Sequence, residues 1–272
     1  MLILLFQLFF GADILLPHGD LDLKIEAISQ LIETYPDSMQ LRLKRGDYYV
    51  QNEEFHKAKQ DYLLCFNRHH KTDYVLIGMT TCYLVEGKTD SALYFINQTL
   101  LKAPDNPGAK ELKAKVFLSA GRNCDAGNLY SEILSTFSHP APLLFIEASS
   151  ALRNCETPGS TEVAILILKD GLTKVPGSKV LQNQLISLYK QEEKIEEALQ
   201  VQSTMIEQSS FKSRHYIERA KTYLSIGKTM EAKKDLESAL ASFELLPTNK
   251  KDLPAMEDLK NDIQFHLKAL EN

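Results

Sequence analysis

The amino-acid sequence predicts an all-α protein, an α-solenoid of stacked antiparallel helix pairs, because two sets of residues recur at the same long interval. The first set would close the first helix of each pair, and its members are Tyr49, Tyr83, Phe117, Ala151, Tyr189 and Tyr223. The second set is an alanine inside the second helix, and its members are Ala58, Ala92, Ala126, Ala164, Ala198 and Ala232. Successive members are 34 residues apart, except for one step of 38 that falls in the fourth unit. Two independent sets with matching intervals therefore predict six copies of one helix pair.

The chain begins with an almost wholly apolar stretch, residues 1–10, followed by two small residues. This pattern is typical of a secretory signal and its cleavage zone. Two features fit less well, because the first basic residue is Lys24 and Phe10 is bulky where a small residue is expected. The alternative is an apolar cap helix on the first repeat. We interpret residues 1–17 as an apolar leader of one of these kinds, and we expect an exported protein, periplasmic or secreted, with a cytoplasmic location as the alternative.

The leader is too short to span a bilayer as a helix, so we expect no stable membrane span in the mature chain. Residues 18–38 predict a half repeat, a lone second helix ended by Pro36. Residues 39–247 hold the six helix pairs, with a surface loop inserted at about residues 156–161 of the fourth. Residues 248–272 predict the C-terminal capping helix that a repeat array needs.

Other residues fall into the same register. A glycine occupies the turn between paired helices at Gly87, Gly121 and Gly227, where it would supply a backbone conformation that side chains resist. A small residue such as Gly46 stands three positions before the aromatic one in most units and would let two helix backbones approach closely. An apolar residue follows each alanine of the second set by four positions, and Gln202 is the exception.

These residues resemble the tetratricopeptide repeat over most of the chain. The clearest segments are Arg45-Gly46-Asp47-Tyr48-Tyr49 with Phe55, Ala58 and Tyr62, and Ala220-Lys221-Thr222-Tyr223 with Gly227, Ala232 and Leu236. The resemblance covers residues 39–210 in five units and 213–247 in a sixth. It implies that the pairs stack into a right-handed superhelix whose concave groove is lined mainly by the first helix of each pair.

The resemblance also implies which side chains face that groove. They are first-helix residues of the second to sixth pairs, namely Tyr74, Ile77, Thr81, Glu111, Lys115, Phe145, Ser149, Asn183, Ser187, Arg214, Ile217 and Lys221. Some tetratricopeptide co-chaperones clamp a C-terminal carboxylate with a Lys and Asn set, but the first unit here offers Leu43 and Asp47 instead. An extended peptide or a partner helix along Tyr74, Ile77 and Phe145 fits better.

Nothing in the sequence points to catalysis. It has no phosphate-binding loop, dinucleotide fingerprint, hydrolase elbow or metalloprotease motif. The adjacent His69 and His70 would point about 100° apart on a helix and do not predict a metal site. A net charge of −5 without a basic stripe argues against nucleic acid as a partner. We therefore expect no catalytic residue, no cofactor and no metal.

The four cysteines are too widely spaced for a metal knuckle or a redox pair. In an exported protein, Cys65 could bridge to Cys82 and Cys124 to Cys155, because each pair would lie on neighbouring helices or turns. In a cytosolic protein, all four would be small buried apolar side chains.

The prediction for function is a non-catalytic scaffold that mediates protein–protein or protein–peptide binding through its concave groove. One alternative is a bacterial envelope assembly factor, which the same architecture would serve. Another is an enzyme or small-molecule carrier with a site inside the superhelix, which a buried cluster of titratable residues would favour.

Overall fold

The computed structural model of the chain describes residues 18–70, 72–137, 140–251 and 253–270, so the predicted leader, residues 1–17, lies outside them. Within these ranges every regular element is a helix. The helices are α1 (His18–Thr34), α2 (Met39–Gln51), α3 (Phe55–Asn67), α4 (Asp73–Val85), α5 (Thr89–Lys102), α6 (Pro107–Ser119), α7 (Asn123–Thr136), α8 (Pro142–Arg153), α9 (Ser160–Lys174), α10 (Lys179–Gln191), α11 (Ile195–Gln208), α12 (Ser213–Ser225), α13 (Thr229–Glu244), α14 (Thr248–Lys251) and α15 (Pro254–Ala269).

The chain folds as two compact units. Of the described residues, the first unit holds those between 18 and 137 and between 150 and 160, and the second holds those between 140 and 149 and between 161 and 270. In the first unit, each helix from α1 to α7 packs against the next one along the chain, and in the second unit the same holds from α10 to α13. The predicted fold class, an α-solenoid of helix pairs, is confirmed. Each of these helices packs against its neighbour in the sequence, as the helices of a repeat array do.

The turn between paired helices needs one residue with a left-handed backbone. The predicted glycines supply it, with φ of 71° at Gly87, 71° at Gly121 and 74° at Gly227. In the other three pairs the same conformation falls on a glutamate, with φ of 61° at Glu53, 56° at Glu156 and 56° at Glu193. A side chain in this region is strained, because its Cβ crowds the following carbonyl oxygen.

Replacing Glu193 with glycine is expected to raise the free energy of unfolding by about 1 kcal/mol, because glycine adopts φ of 56° without that strain. Chemical denaturation of the purified protein checks this. The control is Glu192→Gly at the neighbouring residue, whose φ is −91°. Glycine gains nothing there and should be neutral or destabilising. Equal effects of the two substitutions would contradict the strain argument.

The alanine ladder lies at the centre of the packing. Its members are fully buried at Ala58, Ala92, Ala126, Ala164, Ala198 and Ala232. The side chain four residues after the first of them, Tyr62, is also fully buried. A Cβ atom added to Gly46 would lie 2.9 Å from Tyr62 Cε1, and one added to Gly78 would lie 2.7 Å from Tyr62 Cε2. The Tyr62 ring of α3 therefore occupies space that only glycine leaves open on α2 and α4.

Replacing Gly78 with alanine is expected to destabilise the protein by about 1–3 kcal/mol, since the new methyl group overlaps the Tyr62 ring. Denaturant titration measures the loss. In a Tyr62→Leu background the same alanine should cost less, because leucine has no ring atoms at the contact. An undiminished cost in that background would show that the ring is not the obstacle.

An arginine clamp ties three helices together in each unit. In the first unit, Arg45 donates to both Asp61 carboxylate oxygens at 2.7 and 2.8 Å and to Ser29 Oγ at 3.1 Å. In the second, Arg219 donates to both Asp235 oxygens at 2.7 Å and to Ser203 Oγ at 2.7 Å. In both clamps the serine, the arginine and the aspartate follow one another at intervals of 16 residues, so the clamp belongs to the repeat. It joins α1, α2 and α3 in the first unit, and α11, α12 and α13 in the second.

One of the two predicted disulfides is present. Cys124 and Cys155 are bonded, with Cα atoms 4.6 Å apart, and Asn123 Nδ2 donates to the Asn154 carbonyl oxygen beside them at 3.0 Å. The bond joins the start of α7 to the loop after α8 within the first unit. It shows that the turns of consecutive repeats lie next to each other there.

The other predicted bridge, Cys65 to Cys82, is wrong. Both residues are free thiols and both are fully buried. The Cys65 thiol points to the Met39 carbonyl oxygen of α2 at 3.7 Å, within its own helix pair, instead of towards Cys82 on α4. Burial raises the pKa of Cys65 to about 11 and that of Cys82 to about 12, so both remain protonated small side chains in the core.

The C-terminal region ends the second unit. The short helix α14 precedes α15, which packs against α13. Leu259 and Ile263 of α15 are buried with Phe243, whereas Phe265 on its outer side is 68% exposed. One apolar face and one solvated face are what the end of a repeat array requires.

Candidate protein-binding groove

In the first unit, the predicted groove residues lie on α4 and α6. Tyr74 and Thr81 of α4 are partly exposed, whereas Ile77 is buried and packs with Ile96, Ala109 and Leu112. Glu111 and Lys115 of α6 form an ion pair one helical turn apart, 2.5 Å between their charged groups. Thr81, Glu111 and Lys115 therefore present polar atoms near the surface, while Ile77 serves the core.

A buried carboxylate of α2 is hydrogen-bonded to side chains of α3 and α4. Asp47 accepts a hydrogen bond from the Tyr62 hydroxyl at 2.6 Å and another from the Tyr74 hydroxyl. Asp47 is only 9% exposed, and no cation pairs with it among the described residues. Burial raises its pKa to about 6, although the two tyrosine hydrogen bonds act in the opposite direction. Neighbouring repeats are thus joined by a carboxylate that folding makes harder to ionise.

In the second unit, the predicted residues of α10 and α12 are mostly accessible. Asn183, Ser187 and Arg214 are exposed. Lys221 is partly exposed and is held by two carboxylates, Glu218 at 3.4 Å on its own helix and Asp262 of α15 at 3.2 Å. The C-terminal helix α15 therefore contacts a predicted groove residue of the last repeat.

Three predicted groove residues of the second unit belong to the core instead. Phe145 is fully buried, Ser149 is 2% exposed and Ile217 is 1% exposed. The Phe145 ring fills the space beside Gly171, where an added Cβ would lie 2.9 Å from Phe145 Cγ. Ile217 packs in the cluster that includes the capping helix. The expectation that Phe145 anchors a partner is wrong, because its ring is already used between helices.

Sequence reasoning placed Arg214 of α12 in the groove but missed two cations of α10, Lys179 and Lys190. Lys179 is exposed, Lys190 is partly exposed, and neither forms an ion pair within the described ranges; the same holds for the exposed Arg214. The pKa of His215 is lowered, first by burial and then by the positive charges of Lys179 and Arg214. The pKa of Lys190 is lowered by burial, against the attraction of Glu218. The positive charges of Lys179 and Arg214 therefore both act on His215.

None of the helices among the described residues is long and apolar enough to cross a membrane.

No family model and no curated protein matches the sequence. Solved structures do match. A tetratricopeptide repeat protein from Parabacteroides merdae ATCC 43184 superposes with a TM-score of 0.56 at 18% identity, covering 93% of each chain. A chain of the APC/C hetero-tetramer Cut9–Hcn1 superposes with a TM-score of 0.51 at 16% identity, over 94% of this chain but only 46% of that one. With its helix pairs and these likenesses, the chain has the tetratricopeptide-repeat fold.

Proposed function

We propose that the protein is a non-catalytic scaffold that holds a protein or peptide against the first helices of its repeats. The observation that carries this proposal is that some residues of the helices pack between the pairs while others are exposed to solvent. Within each unit, apolar residues of one pair are buried against the next, while Asn183 and Ser187 on α10 are exposed and Thr81 on α4 is partly exposed. Such an array has a rigid face and side chains free to contact a partner.

The similarity in fold supports this role without identifying a partner. The matched Cut9–Hcn1 structure is a hetero-tetramer, so one protein with this fold works within an assembly. Fold alone does not fix function, and the partner of this chain must be recognised by its own groove residues.

We also propose that the protein is exported. The Cys124–Cys155 bond supports this location, since disulfides persist in oxidising compartments and are rare in the reducing cytosol. Protein purified from its source organism without reductant should then carry two alkylatable thiols after denaturation, those of Cys65 and Cys82. N-terminal sequencing of the same sample tests whether the leader is removed. Four free thiols and an intact leader would contradict export.

The scaffold proposal is tested by blocking the first-helix faces with bulk and charge. We would introduce Thr81→Arg and Ser187→Arg together, and capture partners from cells of the source organism with wild-type and variant protein. The matched control is Ser135→Arg with Thr204→Arg, which alters exposed hydroxyl residues on the second helices α7 and α11. We expect the first pair of changes to abolish capture of a specific partner and the second pair to preserve it. Loss only in the second-helix variant would overturn the assignment of the binding face.

A further inference from the structure

We propose that the Cys124–Cys155 bond is a thiol-exchange site, which a dithiol opens in the folded protein by attacking Cys155 and releasing Cys124 as a thiolate. The site lies outside the predicted groove residues and adds a redox-sensitive element to the first unit.

The bond is accessible in the folded chain. Cys124 and Cys155 are both partly exposed, whereas the two free thiols, Cys65 and Cys82, are fully buried. The loop that carries Cys155 is open to solvent, since residues 153–159 are exposed apart from the cysteine itself. Exchange begins with direct attack of a thiolate on a disulfide sulfur, so exposed bonds react more readily than bonds enclosed in a core. Among the four cysteines, all of which lie in the described ranges, this pair is therefore the one open to exchange.

The surroundings of Cys124 favour its thiolate. Cys124 is the second residue of α7, a helix of 14 residues, and Arg122 at the N-cap makes no side-chain hydrogen bond to the first turn. The N–H groups of a first helical turn stabilise a thiolate, both as donors and through the helix dipole. Arg122 is paired with Asp125 at 2.6 Å, so these two neighbouring charges largely offset each other. The helix terminus is thus the main influence on a thiolate at Cys124.

Cys155 has no such support. It lies in the loop after α8, and its sulfur is 3.3 Å from Thr157 Oγ1, a hydroxyl that can donate one hydrogen bond. The next residue, Glu156, is exposed and carries a carboxylate, which disfavours a second negative charge beside it. Exchange favours the sulfur whose departure leaves the more stable thiolate. The attack therefore falls on Cys155, and Cys124 leaves.

The exchange consists of two thiol–disulfide steps. In the first, a thiolate of the dithiol bonds to Cys155 Sγ, the Cys124–Cys155 bond breaks, and its electron pair leaves on Cys124. In the second, the other thiolate of the same dithiol attacks the mixed disulfide, and Cys155 leaves as a thiolate that takes a proton from water. The dithiol is oxidised to a disulfide, and the protein gains two thiols.

Opening the bond frees a short segment and leaves the core in place. Leu152, at the end of α8, is buried against α7, where a Cβ added to Gly127 would lie 2.6 Å from Leu152 Cγ. This contact does not depend on the disulfide. The loop beyond it keeps the exposed hydrogen bond from Asn123 Nδ2 to the Asn154 carbonyl oxygen. We therefore expect reduction to loosen residues 153–159 and the first turn of α7, and to leave the rest of the first unit folded.

The first test treats the oxidised full chain with dithiothreitol at pH 7 without denaturant, then alkylates it with iodoacetamide and locates the label by peptide mass spectrometry. We expect label on Cys124 and Cys155 and none on Cys65 or Cys82, which are fully buried. Cys124 should be labelled at least about twofold faster than Cys155, because the thiolate is the reactive form.

Three results of this test would overturn the proposal. One is a bond that dithiothreitol reduces in denaturant but leaves intact in the native protein. Another is label on Cys65 and Cys82 as well, because exchange would then require unfolding. The third is equal or faster labelling of Cys155, which would remove Cys124 as the leaving thiolate.

The second test compares amide hydrogen exchange of the oxidised and reduced protein. Amides of residues 153–159 and of the first turn of α7 should exchange at least about tenfold faster after reduction, while α2 to α5 stay unchanged. The control variant, Cys124→Ser with Cys155→Ser, should match the reduced protein both with and without dithiothreitol. Unchanged exchange in residues 153–159, or faster exchange throughout the first unit, would contradict a local redox-sensitive element.

Discussion

Replacing Asp235 with alanine is expected to lower the free energy of unfolding by about 3–5 kcal/mol, because it leaves the Arg219 guanidinium without its partner in a site that is mostly closed to water. Only 19% of the Arg219 side chain and 5% of the Asp235 side chain are exposed. The carboxylate raises the pKa of Arg219 by accepting its hydrogen bonds. Ser203 Oγ accepts a third N–H of the guanidinium, so all three helices of the clamp lose a shared contact when the aspartate is removed.

Denaturant titration followed by circular dichroism measures the global loss, and native-state hydrogen exchange shows whether it is concentrated in α11 to α13. The control is Asp258→Ala, which removes an exposed carboxylate from α15. Asp61→Ala should reproduce the effect in the first unit, because Arg45 makes the same pair of bonds there. A loss below about 1 kcal/mol for Asp235→Ala, typical of a solvent-exposed ion pair, would contradict the account of the clamp.

The Asp47 carboxyl is expected to make the protein less stable as the pH rises from about 4 to about 6. Its pKa is raised from the ordinary 3.8 to about 6, so the folded state holds the proton more tightly than the unfolded chain. The stabilisation is fully present below the unfolded value and is lost as the pH passes through the folded value. Since one pKa unit corresponds to about 1.4 kcal/mol, the change amounts to on the order of 3 kcal/mol.

The variant Asp47→Asn isolates this effect, since the amide does not ionise, and its oxygen can accept from one tyrosine hydroxyl while its NH2 group donates to the other. The difference in unfolding free energy between variant and wild type should grow in favour of the variant between about pH 4 and about pH 6, and should then level off. Taking the difference cancels the opposite dependence of groups such as Glu54 and Glu86, whose pKa values are lowered by lysine partners. A constant difference across this range would show that Asp47 ionises normally in the folded protein.

The repeat architecture could be predicted because the same types of residue recur at a fixed interval in the sequence. The alanine ladder and the turn glycines mark positions that recur every 34 residues. A pattern of this kind can be recognised in a single sequence, without an alignment. The arginine clamp had a signal too, because Ser29, Arg45 and Asp61 share their spacing with Ser203, Arg219 and Asp235. The three residues of each set lie on three successive helices, so the spacing indicates a contact only when the packing of those helices is known.

Other features had a weaker signal in the sequence. Glu193 occupies a left-handed turn that favours glycine, and its identity gives no hint of the conformation, which only its place 34 residues before Gly227 indicates. Phe145 and Ile217 were assigned to the groove from their positions on first helices. A helix in a stack has neighbours on several sides, however, and an apolar side chain at a groove position can turn into one of those contacts instead. Accessible groove positions are therefore better identified at polar residues such as Asn183 and Ser187.

The central claim is that partners bind the first-helix faces of the repeats. Site-specific photo-crosslinking tests it most directly, with a photoreactive amino acid placed at Thr81 or at Ser187 and, for comparison, at Tyr94 on the second helix α5, which is 54% exposed. The account predicts a crosslinked partner from Thr81 or Ser187 and none from Tyr94. A partner crosslinked from Tyr94 alone would contradict it.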